Sequence, residues 1–147
     1  MLSNINYKGF TTAPLDGLVF RNRPTQCVLR YQEYTIILFP SGKCRIMGCK
    51  QPINPSSLPL NITIQSIQSI TVTCDFGEPI NLNLLARNSP SMYEPEIFPA
   101  LRLTYYDPLC VNVFHTGKIV ITGLKDLNYI TFVSCVLDNI LLSTCVL

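Results

Sequence analysis

Apolar and polar residues take turns along "IQSIQSITVTC" (Ile64–Cys74). That alternation, strict from Ile70 to Cys74, predicts a strand with one buried face. "LSNINYKGF", "TQCVLRYQ", "YTIILFP" and "KCRIMG" read the same way in the first half of the chain. In the second half the predicted strands are Leu101–Tyr106, Cys110–His115 and Lys118–Thr122, with a turn at Asp107-Pro108. "PINLNLLARN" predicts a short helix, and "APLDGLVFRN" a short helix or turn. "SPSMYEPEIFP", broken by prolines, predicts a loop or one helical turn. From Lys125-Asp126 onward the pattern predicts one long helix of about 20 residues.

Two stretches have the same spelling. "LFPSGKCRIMG" (Leu38–Gly48) and "VFHTGKIVITG" (Val113–Gly123) each read apolar, Phe, two residues, Gly-Lys, a strand, then Gly. Tyr31 pairs with Tyr105, Phe39 with Phe114, Lys43 with Lys118 and Gly48 with Gly123. A unit spelled twice predicts duplication and a pseudo-twofold axis. The expected repeats are residues 1–60 and 61–147, together forming one domain. They differ after the hairpin. The second continues into the long helix, whereas the first continues into "QPINPSSLPLN", whose prolines exclude a regular helix. The long helix of repeat one is therefore expected to be missing, leaving apolar sheet surface open to water. The C-terminal helix is apolar around much of its circumference (Ile130, Val133, Val136, Leu137, Ile140, Leu141). Exposed patches of that kind predict a constitutive protein partner or a homodimer.

Composition narrows the function. At 48% hydrophobic and 14% charged residues the chain is a folded one. A net charge of +2 permits an anionic partner without demanding one. Seven cysteines with no Cys-x-x-Cys pair predict buried, reduced thiols. His115 is the only histidine. No nucleophile–base set, phosphate loop or metal-ligand spacing stands in the sequence, so an enzyme, a metal site and a cofactor are not expected. Met1–Phe10 does not read as a signal peptide. The apolar C-terminal stretch carries Asp138 and Asn139 in its middle. A central Asp costs about 3 kcal/mol in a bilayer, so the stretch reads as a covered helix, not a membrane span.

"QSITVTCD" (Gln68–Asp75), "YEPEIFP" (Tyr93–Pro99) and "VFHTGKIVITGLK" (Val113–Lys125) follow one another as three motifs of the TATA-binding protein family do. The chain resembles that family, most specifically over residues 64–125; "LSNI" and "LFPSGKCRIMGCK" carry a weaker likeness in the first half. The resemblance implies an α+β fold: two pseudo-symmetric repeats forming a saddle-shaped, curved antiparallel sheet with helices on the convex face. It implies a transcription initiation factor, and the truncated build and sparse charge fit a shortened, viral or otherwise divergent one. Such a factor binds A/T-rich promoter DNA in the minor groove, bends it and recruits a factor IIB-like partner, in the nucleus or another site of transcription such as a viral factory.

Residue by residue, the resemblance implies DNA wedges at Phe98, Phe114 and Phe39, with Pro24 at the fourth wedge position and Phe20 nearby. It implies minor-groove contacts at Asn4, Ser69, Thr71, Val120 and Thr122, with Arg45 and Met47 as departures in the first repeat. Phosphate contacts fall at Arg23, Arg30, Lys43 and Lys118, and at Arg102 in place of an arginine lost at Thr104. Glu94, Glu96 and Ile97 match the loop that docks the factor IIB-like partner. The low charge, Pro24, Ser69 and the missing helix also fit a second reading: a saddle-fold interaction subunit of a transcription complex with weak or no DNA binding.

Overall fold

The structure, a computed structural model, describes residues 2–15, 17–18 and 26–144, with backbone alone at residues 2 and 3. The chain divides into two compact units, Leu2–Ile70 and Thr71 onward.

The first unit holds β1 (Leu2–Phe10), β2 (Cys27–Tyr31), β3 (Tyr34–Leu38), β4 (Lys43–Cys49) and the opening of β5 (Thr63–Asp75). Its strand order is β2-β3-β4-β1-β5, with antiparallel pairing along the β2–β3, β3–β4 and β4–β1 edges. Strand parity sorts the side chains. Ile5, Tyr7, Ile36, Leu38, Cys44 and Ile46 are buried on one face, and Asn4, Asn6, Lys8, Ile37, Arg45 and Met47 lie on the open one.

The buried face corrects one expectation. No α-helix follows β4, as the prolines require; two short 3-10 turns, Pro55–Ser57 and Pro59–Asn61, stand there instead. Yet the apolar sheet surface is not open to water. Ile53, Leu58 and Ile62 from this segment are themselves buried, and Ile46 of β4 is fully buried. The Tyr7 hydroxyl accepts from the Ile53 amide at 3.3 Å, and Thr11 Oγ1 donates to the Leu60 carbonyl. A side chain at Gly9 would meet Ile62 Cγ2 and Cys44 Sγ, so the proline-rich strap sits close on the sheet. Burial needs apolar side chains and satisfied backbone groups, and an irregular segment supplies both. The exposed sheet surface offered as a reason for an obligate partner is therefore absent from this face.

The second unit holds the rest of β5, α1 (Leu82–Asn88), β6 (Ser91–Met92), β7 (Leu101–Leu103), β8 (Cys110–Val113), β9 (Lys118–Leu124) and α2 (Tyr129–Thr144). Its strand order is β5-β9-β8-β7-β6. Asn81 caps α1 by accepting from the Leu84 amide. α2 packs by Val133, Val136 and Ile140, spaced to share one helical face. Asn88 Nδ2 donates to the Ser143 carbonyl at 2.8 Å and ties α1 to α2.

Three boundaries differ from the sequence pattern. β7 ends at Leu103, and Thr104–Tyr106 turns as a 3-10 helix closed by the Asp107 amide donating to the Thr104 carbonyl at 3.1 Å. The short β6 pairs with β7 inside the segment expected to be a loop. α2 begins at Tyr129 because Asp126 Oδ1 first accepts from the Asn128 amide in a local turn. Ile130 and Leu141 of α2 are exposed, as is Leu142. Among the described residues no helix is long and apolar enough to cross a membrane.

Cys27, Cys44, Cys49 and Cys74 are buried and free, while Cys110 is half-buried and Cys135 exposed. Burial lifts the Cys49 thiol from 9.0 to about 11 and raises those of Cys44 and Cys74. These buried thiols stay protonated near neutrality.

Candidate nucleic-acid interface

Each unit presents a hairpin of the same build. In the first, the Phe39 amide donates to the Lys43 carbonyl at 2.9 Å and the Gly42 amide to the Phe39 carbonyl at 2.9 Å. In the second, Phe114 donates to Lys118 at 2.9 Å and Gly117 to Phe114 at 3.0 Å. Gly42 and Gly117 have φ of +89° and +98°. A Cβ at Gly42 would lie 2.4 Å from the Thr11 carbonyl oxygen, and one at Gly117 2.5 Å from that of Glu78. Only glycine combines that φ with that clearance. The turn so closed carries a Phe just before it and a Lys just after it.

In the second unit the Phe is paired. The rings of Phe98 and Phe114 meet edge to face with centroids 6.1 Å apart. Phe98 remains 49% exposed although it is large and apolar. The Glu94 carbonyl accepts from the amides of Ile97 and Phe98 at 2.9 and 3.0 Å, fixing the loop that presents Phe98. Glu94 and Glu96 are exposed on the same loop, and Ile97 is 80% exposed. Phe39 of the first unit is half-buried. Pro24, Arg23 and Phe20 lie outside the described residues.

The open faces carry most of the other expected positions. Val120 and Thr122 of β9 stand opposite Asn112 and Cys110 of β8, and all four are half-buried. Thr71 of β5 is half-buried too. In the first unit Arg45 stands opposite Ile37 and Met47 opposite Thr35. Asn4 is already engaged: its Nδ2 donates to Asn6 Oδ1 and its Oδ1 accepts from the Gly48 amide, both at 3.0 Å. Asn6 Nδ2 in turn donates to Ser69 Oγ at 3.4 Å. Asn4 and Ser69, named separately from the sequence, are joined by Asn6, which sequence reasoning passed over. Lys8 was also missed. The signal for both was present, because positions 4, 6 and 8 share one face of a strand.

Arg30, Lys43 and Lys118 are exposed cations. Arg102 is placed differently: its Nη2 pairs with Asp107 Oδ1 at 2.7 Å, and its Nε is buried without a hydrogen-bond partner. Thr104, beside it in sequence, is half-buried in the 3-10 turn. His115 is exposed, and its carbonyl accepts from the Ile80 amide at 2.9 Å. Among the described residues no three His, Cys, Asp or Glu side chains gather where they could hold a metal ion. The second unit's open face offers uncharged hydrogen-bonding and apolar groups, with a lysine and an aromatic pair of half-exposed Phe98 and half-buried Phe114 at its hairpin; the first unit's face adds the exposed cations Lys8 and Arg45.

Comparison with known proteins agrees with this picture. Residues 64–135 match the family model described as transcription factor TFIID (or TATA-binding protein, TBP). The chain is 36% identical over 113 residues to the TATA-box-binding protein of Dictyostelium discoideum, covering 66% of this chain and 55% of that one. It is 30% identical over 123 residues to the TATA-box-binding protein of Methanococcus vannielii, covering 72% of this chain and 68% of that one. It thus spans about half the length of the Dictyostelium relative. In structure it is similar to Methanococcus jannaschii TBP, with a TM-score of 0.73, 26% identity and 95% of each chain covered.

Proposed function

Because this chain belongs to the TATA-binding protein family, we propose that it is a transcription initiation factor that binds A/T-rich duplex DNA in the minor groove and bends it. The observation that carries this is the Phe98–Phe114 pair beside a glycine-closed hairpin, with Phe98 exposed and Phe114 half-buried. Large apolar side chains held in the open are costly unless something covers them. Apolar wedges that enter the minor groove unstack a base step and kink the duplex. Val120, Thr122 and Thr71 then face the base edges, where the minor groove tells A·T from G·C and little else. Phe39 supplies the corresponding wedge of the first unit, with Pro24 at its mate's position. Met47 and the Asn4–Asn6–Ser69 chain line the first face. Arg30, Lys43 and Lys118 meet phosphates, whereas Arg102 does so only on leaving Asp107.

Two units with one hairpin design are read as repeats of one ancestral unit. A duplicated reader suits a groove whose pattern is nearly blind to strand direction. The exposed Glu94, Glu96 and Ile97 are proposed to dock a factor IIB-like protein, since an acidic pair beside an apolar side chain repels DNA and attracts a basic protein surface. Ile130, Leu141 and Leu142 on α2 are what remains in favour of a further protein partner or a homodimer. The place of action is the nucleus or another site of transcription.

Fluorescence anisotropy with A/T-rich and G/C-rich duplexes of equal length tests the proposal. Wild-type chain is expected to prefer the A/T duplex by at least tenfold. Equal affinity for the two would count against groove reading.

A further inference from the structure

The first unit carries a charge arrangement that its fold does not need. β1 and β4 run antiparallel, and Lys8 stands directly opposite Arg45. Two residues further along the same pair of strands, Phe10 stands opposite Lys43. Lys8, Lys43 and Arg45 are all exposed, and together with Phe39 and Gln65 they line a recess of about 370 Å³. No carboxylate lines that recess, and among the described residues none of the three cations has an acidic partner within salt-bridge distance.

Like charges facing each other across neighbouring strands destabilise a sheet. The neighbours in the same cross-strand row, Ile37 and Val28, are neutral. At the place of Arg45 in the second hairpin's strand stands Val120, which carries no charge. A sheet that holds two cations side by side, with no counter-charge, is arranged for an anion that arrives from outside. Arg offers a planar fork that binds two oxygens of one phosphate, and Lys offers a mobile point charge beside it. The three cations and the ring of Phe39 share one recess, so its ligand is anionic and large enough to reach all of them.

We propose that Lys8, Arg45 and Lys43 form a phosphate site that holds the sugar-phosphate backbone of the bound duplex, with Lys8 a contact residue of its own. This rests on the DNA-binding reading above and extends it. The first unit grips chiefly by charge, the second by its aromatic wedge and neutral face. Arg45 accordingly binds phosphate, not a base edge.

The full chain and its Lys8→Gln/Arg45→Gln variant are compared in three measurements. In thermal unfolding without DNA the variant is expected to melt no lower than wild type, because a repulsive pair has been removed. A markedly lower Tm would overturn the proposal by giving the pair a structural role. In anisotropy on an A/T-rich duplex between about 50 and 200 mM KCl, each lost phosphate contact flattens the plot of log K against log salt by about 0.9. The variant's slope is expected to be shallower by about 2, with the A/T preference kept; an unchanged slope overturns the site. Tripolyphosphate is the third probe and separates the two readings. If wild type binds no duplex while tripolyphosphate raises its Tm and not the variant's, the phosphate site stands and the DNA reading falls. If tripolyphosphate moves neither protein and the duplex slopes agree, the phosphate site falls.

Discussion

Phe98→Ala/Phe114→Ala is expected to lose A/T-selective DNA binding by about 100-fold or more while remaining folded. Truncating a buried aromatic anchor at an interface costs about 2 kcal/mol or more, and each 1.4 kcal/mol is tenfold. Both rings belong to one edge-to-face pair, so they leave together. The effect on stability is far smaller. Phe98 is half exposed in the free chain, and an aromatic pair contributes about 1 kcal/mol beyond its burial. The variant should therefore show a Tm within several degrees of wild type and an A/T affinity close to its G/C affinity. Unchanged A/T affinity would make the pair a mere surface cluster. Collapse of the Tm would make it part of the core. Tyr106–Phe132, a second edge-to-face pair of the same unit, serves as a contrast, since it lies against α2 and is not expected to touch DNA.

Ile62→Ala is expected to destabilise the first unit by about 3 kcal/mol, the usual scale for emptying a buried isoleucine site. Ile62 is 4% exposed and lies in a segment that is neither helix nor strand. By secondary structure alone it would count as loop, where substitutions cost little. Its burial, and its Cγ2 standing where a side chain at Gly9 would have to go, say otherwise. Urea unfolding followed by far-ultraviolet circular dichroism measures the change, with Ile97→Ala as the exposed control. A cost below about 0.5 kcal/mol for Ile62→Ala would mean that the proline-rich strap does not cover the sheet in solution, and the open apolar surface would return as a reason for an obligate partner.

The strap also shows where the sequence stopped being legible. Its three prolines ruled out a helix, and no helix is there. They could not show that Ile53, Leu58 and Ile62 still reach the sheet, because irregular backbone has no period to read. The strands were legible for the opposite reason. β5 alternates from Ser69 to Asp75, and the two Gly-Lys hairpins carry their turn chemistry in the glycine. Thr104–Tyr106 misled because threonine and tyrosine favour strands by propensity, while the Asp107 amide, bonded to the Thr104 carbonyl, closes them into a turn. Within the candidate interface, Phe98, Phe114 and the lysines could be named from motifs. No motif marks Asn6 and Lys8; only their parity with Asn4 along one strand does. Their importance lies in what stands opposite or beside them, namely Arg45, Asn4 and Ser69. The pairing of Arg102 with Asp107 was likewise invisible until the turn at Thr104 placed the two side chains together.

The most direct test of the central claim is whether the chain bends DNA. An A/T-rich duplex of about 30 base pairs, labelled at its two ends with a donor and an acceptor, reports its end-to-end distance by energy transfer. A minor-groove protein that wedges apolar side chains between base steps kinks the duplex by roughly 20–90°. Wild-type chain is predicted to raise the transfer efficiency on the A/T duplex at saturation, with no rise on a G/C duplex at the same concentration. Saturated binding by anisotropy with no change in energy transfer on the A/T duplex would contradict the account.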